Sequence, residues 1–124
     1  MGTGGDTDDT ARVARAYDDA WTNRKGAGAL RQIMAEAFIF DSALMHIEGR
    51  EQFLAGAGAS GWPERAVTTL VAEAYDGEHG FQIYTATNGG KKVKIAEHLI
   101  IRNGHLEFSE VVVDGAASRE FMTG

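Results

Sequence analysis

The stretch KKVKIAEHLIIRNG, residues 91–104, alternates with period two. Val93, Ile95, Leu99 and Ile101 fall on one face of a strand, and Glu97 stands in the middle of that face. An unpaired carboxylate among aliphatic side chains is costly, so Glu97 must be paired, protonated or functional. Burial disfavours its charged form and raises its pKa. A neutral carboxylic acid near pH 7 can donate a hydrogen bond to a substrate oxygen. The plainer alternatives are a salt bridge to a neighbouring strand, or a strand whose face looks at solvent.

A second carboxylate, Asp41, ends the apolar run of FIFDSAL. At the mouth of an apolar cavity it has the chemistry of a general base; as a strand-terminating Asp it would only hydrogen-bond the next turn. Tyr17 and Trp21 lie one helical turn apart. Aromatic pairs at that spacing are usually core, so Trp21 is expected as a pocket wall, and the Tyr17 hydroxyl is aimed either at a ligand or at a neighbour. Tyr84 carries the same ambiguity. Glu110 and Asp114 share the period-two face of Leu106, Phe108 and Val112, which makes Glu110 a second candidate for an intruding acid.

The histidines make no metal set: His79 and His105 fall in turns, His98 faces away from Glu97, and His46 lies in a loop before the third helix, within reach of the pocket rim. There is no metal-binding spacing, and the glycines of FLAGAGAS lack the strand-to-helix setting and the Lys of a phosphate loop.

The elements that must position these groups can be read from the same 124 residues. That length argues for one domain with a real core. The net charge of −6 disfavours nucleic acid and anionic membrane surfaces as partners, since both demand a basic patch. No cysteine is present, which excludes disulfides and thiolate zinc sites. No apolar run approaches the roughly 20 residues of a membrane span, and the first ten residues are small and acidic, unlike a secretory signal. The chain reads as soluble and cytoplasmic, with residues 1–9 a disordered tail, 10–114 a single domain and 115–124 a loose carboxyl-terminal tail.

Val13, Ala16, Tyr17, Ala20 and Trp21 recur at three- and four-residue spacing and predict an amphipathic helix over 10–24, with Arg12, Arg15, Asp18, Asp19 and Thr22 on its polar side and Gly26 as C-cap. A short helix with Leu30, Ile33 and Met34 on one face follows, then a strand at AFIFDSAL and a third helix at EGREQFLAGAGAS. AVTTLVAEAY, FQIYTAT, KKVKIAEHLIIR and HLEFSEVVVD read as four strands separated by DGEHG, NGG and NG, turns short enough to force antiparallel neighbours. Helices followed by a run of strands predict an α+β fold, with helices packed on one face of a curved sheet.

That order resembles the cone-shaped fold of the nuclear-transport-factor-2-like superfamily, which includes ketosteroid isomerases, SnoaL-like polyketide cyclases, scytalone dehydratase and limonene epoxide hydrolase. The resemblance rests on RAYDDAWTNRKGAGALRQIMAEAFIFD, similar to the family's first two helices and first strand. It rests also on EGREQF, similar to the start of its third helix, and on AEHLIIRNGHLEFSEVVVD, similar to its closing hairpin. The resemblance covers about residues 10–114.

It implies a curled sheet around one apolar cavity and, by analogy with the ketosteroid isomerases, Asp41 as the base, with Tyr17 and Glu97 binding the developing oxyanion. The device of a neutral carboxylic acid as donor is itself that family's, and Glu97 is one methylene longer than the family's Asp. The Asp–Arg–Asp set of limonene epoxide hydrolase cannot be assembled, because no Arg holds an inward position in the middle of a strand. Trp21, Phe38, Phe53, Tyr84, Leu99, Phe108 and Glu110 are expected around the ligand. The expected function is a lyase, isomerase or cyclase that shifts a proton next to a carbonyl of a small polyketide- or steroid-like molecule, without a cofactor. The rivals are a non-catalytic binder of a hydrophobic ligand and a structural dimerisation domain. A homodimer is expected from the mixed apolar face of Ala96, His98, Ile100, Val111 and Val113.

Overall fold

The computed structural model describes residues 6–43, 45–60 and 66–123. Its first helix, α1, Thr7–Thr22, begins three residues earlier than its apolar periodicity. Asp6 caps it by accepting from the Asp8 and Asp9 amides, and those two acids sit favourably against the positive end of the helix dipole. The helix also stops before Gly26. Arg24 takes the left-handed conformation at φ 51°, the Lys25 amide reaches back to the Ala20 carbonyl and the Arg24 amide to that of Trp21. That double closure is a Schellman motif with Arg24 in the place glycine usually holds. Gly26, expected as the C-cap of α1, instead starts α2, Ala27–Ile33, from φ 90°.

Two strands follow: β1, Met34–Ser42, and the short β2, His46–Glu48, where a loop was expected. Met34, expected on the second helix, opens β1. The third helix, α3, is Arg50–Ser60. Then come β3, Val67–Asp76; β4, His79–Asn88; β5, Lys91–Arg102; and β6, His105–Val112. The last two are joined by Asn103–Gly104, both at positive φ, the backbone a tight hairpin turn requires. The six strands form one sheet in the order β2-β1-β6-β5-β4-β3, with β1 parallel to β6 and every other pair antiparallel. This is an α+β architecture, with the four-stranded antiparallel meander that the turn residues dictate.

One register shift governs what β6 presents. Ile101 pairs with Leu106 but Ile100 pairs with Phe108, so Glu107 is an extra residue in the ladder. A bulge of this kind moves every later side chain to the opposite face. Leu106 is inward before it; after it Ser109, Val111 and Val113 are inward, and Phe108, Glu110 and Val112 are outward.

The core lies between α1 and the inner face of the sheet. Val13, Ala14, Tyr17 and Ala20 of α1 pack with Phe38, Phe53, Leu99, Ile101 and Leu106. A second cluster joins Ala86, Val93 and Ile95 to Phe121. Phe121 belongs to α4, Gly115–Thr123, which replaces the expected loose tail. Its ring is 1% exposed, and the Asn88 side-chain amide donates to its carbonyl at 2.6 Å. The segment is held because an aromatic anchor and a satisfied buried amide outweigh the entropy of ordering it. Removing the anchor by Phe121→Ala is expected to destabilise the protein by about 3–5 kcal/mol, as for other buried Phe side chains; denaturant titration of both proteins checks this.

Candidate functional site

The helices and the inner face of the sheet line an apolar cavity of about 290 Å³ that opens to solvent on one side. Tyr17, Asp18 and Trp21 of α1 form one wall, and Phe40, Ser42 and Ile47 of β1 and β2, with Met45 between them, form another. Phe53 and Gly56 come from α3, Thr68 from β3, and Tyr84 from β4. Val93, Ile95 and Glu97 of β5 and Val111 and Val113 from the end of β6 make the floor, and Ser118, Phe121 and Met122 of α4 close one side. Trp21 meets Tyr17 and Phe53 edge-on, with ring centroids 6.4 and 6.2 Å apart.

Glu97 lies in this wall at 5% exposure. The alternation of β5 delivers it inward between Ile95 and Leu99, as Val93 and Ile101 are delivered. Its Oε1 accepts from the Tyr84 hydroxyl at 3.0 Å, and its Oε2 accepts a short hydrogen bond from the Ser109 hydroxyl. No cation pairs with it among the described residues. Burial pushes its pKa up to about 7; the Ser109 and Tyr84 hydrogen bonds work against burial, and the negative charge of Asp18 adds to it. Tyr17 is buried, and its phenol is held well above the ordinary tyrosine range, first by burial and then by Glu97. The Tyr84 phenol is raised for the same two reasons in the same order. Both therefore stay neutral donors at any physiological pH.

Asp18 is the second acid of the cavity. The periodicity of α1 assigned it to the polar side, yet it sits one residue from Tyr17 and three from Trp21, at the edge of the buried stripe. Its pKa is raised, mainly by burial and further by Asp19 and Glu73.

Asp41 is placed elsewhere. It stands between Phe40 and Ser42, both of which line the cavity, and strand alternation turns it to the outer face. There its carboxylate meets His46 Nδ1 at 3.2 Å, while His46 Nε2 meets Glu48 at 3.0 Å; the two carboxylates raise the His46 pKa, Glu48 first. Glu110 and Phe108, expected at the ligand, are also outward, because of the Glu107 bulge. Along one row of the outer face His46, Asp41, Glu110, His98 and Phe81 are successive cross-strand partners. His98 faces away from Glu97 and stacks on Phe81 at 4.9 Å. Phe38 and Leu99 are fully buried in the core beside the cavity and do not line it.

Of the expected set, the fold thus brings Tyr17, Glu97, Trp21, Phe53 and Tyr84 together and leaves out Asp41, Phe38, Leu99, Phe108 and Glu110. Asp18, expected on the polar side of α1, and Ser109 were not among the expected site residues. The proximity of Asp18 to the Tyr17–Trp21 stripe was a usable signal; Ser109 had none, because its direction depends on the bulge. No group of three or more His, Asp or Glu among the described residues is arranged to hold a metal ion.

Known structures share this arrangement of helices on a curled sheet. A Kribbella flavida protein proposed to be a ketosteroid isomerase superposes with a TM-score of 0.81 at 20% identity, over 89% of this chain and 81% of its own. A Jannaschia protein proposed to be a SnoaL-like polyketide cyclase gives 0.79 at 15% identity, over 100% and 96%. The chain has the nuclear-transport-factor-2-like fold. An LEH-like epoxide hydrolase from M. tuberculosis has it too, at a TM-score of 0.75 and 12% identity, over 94% of this chain and 91% of that one. No family model and no curated protein matches the sequence. At these identities the likeness establishes the nuclear-transport-factor-2-like fold and leaves the chemistry to the residues of the cavity. No helix among the described residues is long and apolar enough to cross a membrane.

The raised pKa of Glu97 makes stability depend on pH with a definite sign. Its folded value of about 7 lies above its ordinary 4.5, so the unfolded chain gives up this proton first. The folded state therefore loses stability as pH climbs from the lower value through the higher one. Glu97→Gln removes that loss. Relative to the parent, the variant should gain about 2 kcal/mol of stability between about pH 5 and about pH 8.5. Unfolding curves of both proteins at the two pH values measure the difference.

Proposed function

We propose that the cavity binds a small apolar molecule and moves a proton next to its carbonyl group, with Glu97 as the proton carrier. The observation that carries this reading is a carboxyl group buried in an apolar cavity and held at about 7. At neutral pH both of its protonation states are populated, which is where a general base or acid is most effective. Tyr17 supports the reading as a neutral phenol in the same wall, available to stabilise an oxyanion that develops on the substrate. Asp41, outside the cavity, has no part in it. The volume is about twice the roughly 150 Å³ hollow that accepts benzene, so a two-ring ketone fits better than a four-ring steroid. The fold is shared with proteins proposed to be an isomerase and a cyclase.

A non-catalytic ligand pocket is the second reading. It is favoured by the Tyr84 and Ser109 hydroxyls, which occupy both oxygens of Glu97 and would have to yield before the carboxylate could take a proton from a substrate.

A β,γ-unsaturated two-ring ketone, followed by the absorbance of its conjugated product, separates the two. Under the enzyme reading the parent turns the ketone over, Glu97→Gln loses about 10²–10⁴-fold in kcat, and KM changes little because the apolar walls bind ground and transition states alike. Tyr17→Phe should lose less. Binding of the ketone without turnover, with affinity that tracks Tyr17 and Glu97, would leave the pocket as a binder.

We also propose a homodimer through the outer face of the sheet. Phe81, Ile83 and Val112 on that face are 46%, 40% and 65% exposed, a mixed apolar surface of the sort a two-fold interface covers. Light scattering at micromolar concentration should give twice the chain mass, and Phe81→Glu should give the monomer mass.

A further inference from the structure

We propose that the ligand of this cavity carries a protonated amine on its apolar body, and that Asp18 and Glu97 together receive the ammonium group. The inference rests on the reading of the cavity as a small-ligand site and adds the charge of the ligand.

Among the described residues the charge inventory of the wall is one-sided: Asp18 and Glu97 line the cavity and no Lys, Arg or His does. Other acids of this face of the molecule have found cations. Asp19 pairs with Lys25, Glu73 with Arg15 and Glu51 with Arg31. Asp18, next to Asp19 and half-buried, makes no hydrogen bond or ion pair among the described residues, and only like charges act on it. Glu97 is bound by two neutral hydroxyls, which take one lone pair of each oxygen and leave its charge uncompensated. A half-buried acid with no partner among the described residues, beside a buried acid with no counter-ion among them, is electrostatically incomplete, and a cation in the cavity completes it.

The remaining walls suit the same guest. Tyr17, Trp21, Phe53 and Tyr84 present aromatic surface, which attracts an alkylammonium as well as packing against an apolar body. A carboxylate ligand would meet two like charges in a low-dielectric pocket. A neutral ketone oxygen can accept a hydrogen bond only from protonated Glu97, and it leaves Asp18 idle.

Those alternatives predict opposite responses to pH. An alkylammonium stays protonated to about pH 10, as the lysine side chain does, so the titration seen near neutrality is that of the protein. The amine should bind more tightly as Glu97 ionises and should release a proton on binding; the ketone should bind more weakly over the same range.

Calorimetry of the parent protein with naphthylethylamine, naphthylbutanone and naphthylpropionate tests this. From about pH 5.5 to about pH 8.5 the affinity for the amine is expected to rise about tenfold, while naphthylpropionate does not bind at either pH. Asp18→Asn should lower the amine affinity about tenfold and leave that of the ketone within about twofold. Glu97→Gln should flatten the pH slope for the amine. If either variant fails to fold, the slope and proton release of the parent decide. An amine that binds without that slope, or no better than the ketone, overturns the proposal. Binding of the ketone alone overturns it too, yet leaves the proton-transfer reading standing. If neither amine nor ketone binds, both fail for ligands of this size.

Discussion

Much of this molecule follows from the cost of keeping one carboxyl group out of water. Glu97 is inward because β5 alternates, and moving β5 by one residue to expose it would expose Val93, Ile95, Leu99 and Ile101 as well. The sheet therefore keeps the acid, and its neighbours compensate for the choice. Tyr84 from β4 and Ser109 from β6 each supply a hydroxyl, one to each oxygen. Hydrogen bonds alone do not restore what hydration gave the charged form, so the proton affinity rises to the neutral range. A buried acid held near neutrality is a poor stabiliser of a fold and a useful participant in proton transfer.

The cavity is the second consequence. α1 bridges the concave side of the sheet with small residues, Ala14 and Ala20, and reserves its large side chains, Tyr17 and Trp21, for the wall. α4 then closes the side that the curl of the sheet leaves open, anchored by Phe121 against Val93 and Ile95. Wall and core overlap only in part: Phe38, Leu99, Ile101 and Leu106 pack solidly and hold the elements without lining the cavity, while Tyr17, Phe53, Val93, Ile95 and Phe121 belong to both. Stability and recognition can thus be altered at different positions of the same strands.

The outer face tells a contrasting story. Asp41, Glu110, His46 and His98 occupy one cross-strand row where water can reach them, and each carboxylate meets an imidazole there. The same residue types that would be catalytic candidates inside the cavity are there ordinary members of a polar and aromatic surface. Face, and not residue type, separates Asp41 from Glu97.

The sequence by itself determined the first three helices, the first strand, the four-stranded meander and the position of Glu97. Period-two alternation needs only neighbouring residues, so β5 and its intruding acid were legible, as were the antiparallel meander from its glycine-bearing turns and the buried stripe of α1 from Val13 to Trp21. What only the tertiary structure decided was the direction of side chains wherever a local pattern met a long-range constraint. The Glu107 bulge arises from the pairing of β6 with β5, and it reversed Phe108, Glu110 and Ser109 together. Asp41 could be placed at a strand end, but its face followed from the register of β1 against β6. The last helix was invisible because it is short, carries one large aromatic and is ordered by the groove that receives Phe121. Asp18 lay at the boundary between the two faces of a helix, and which side such a residue joins is set by the curvature of the sheet beneath it, a quantity that no window of sequence contains.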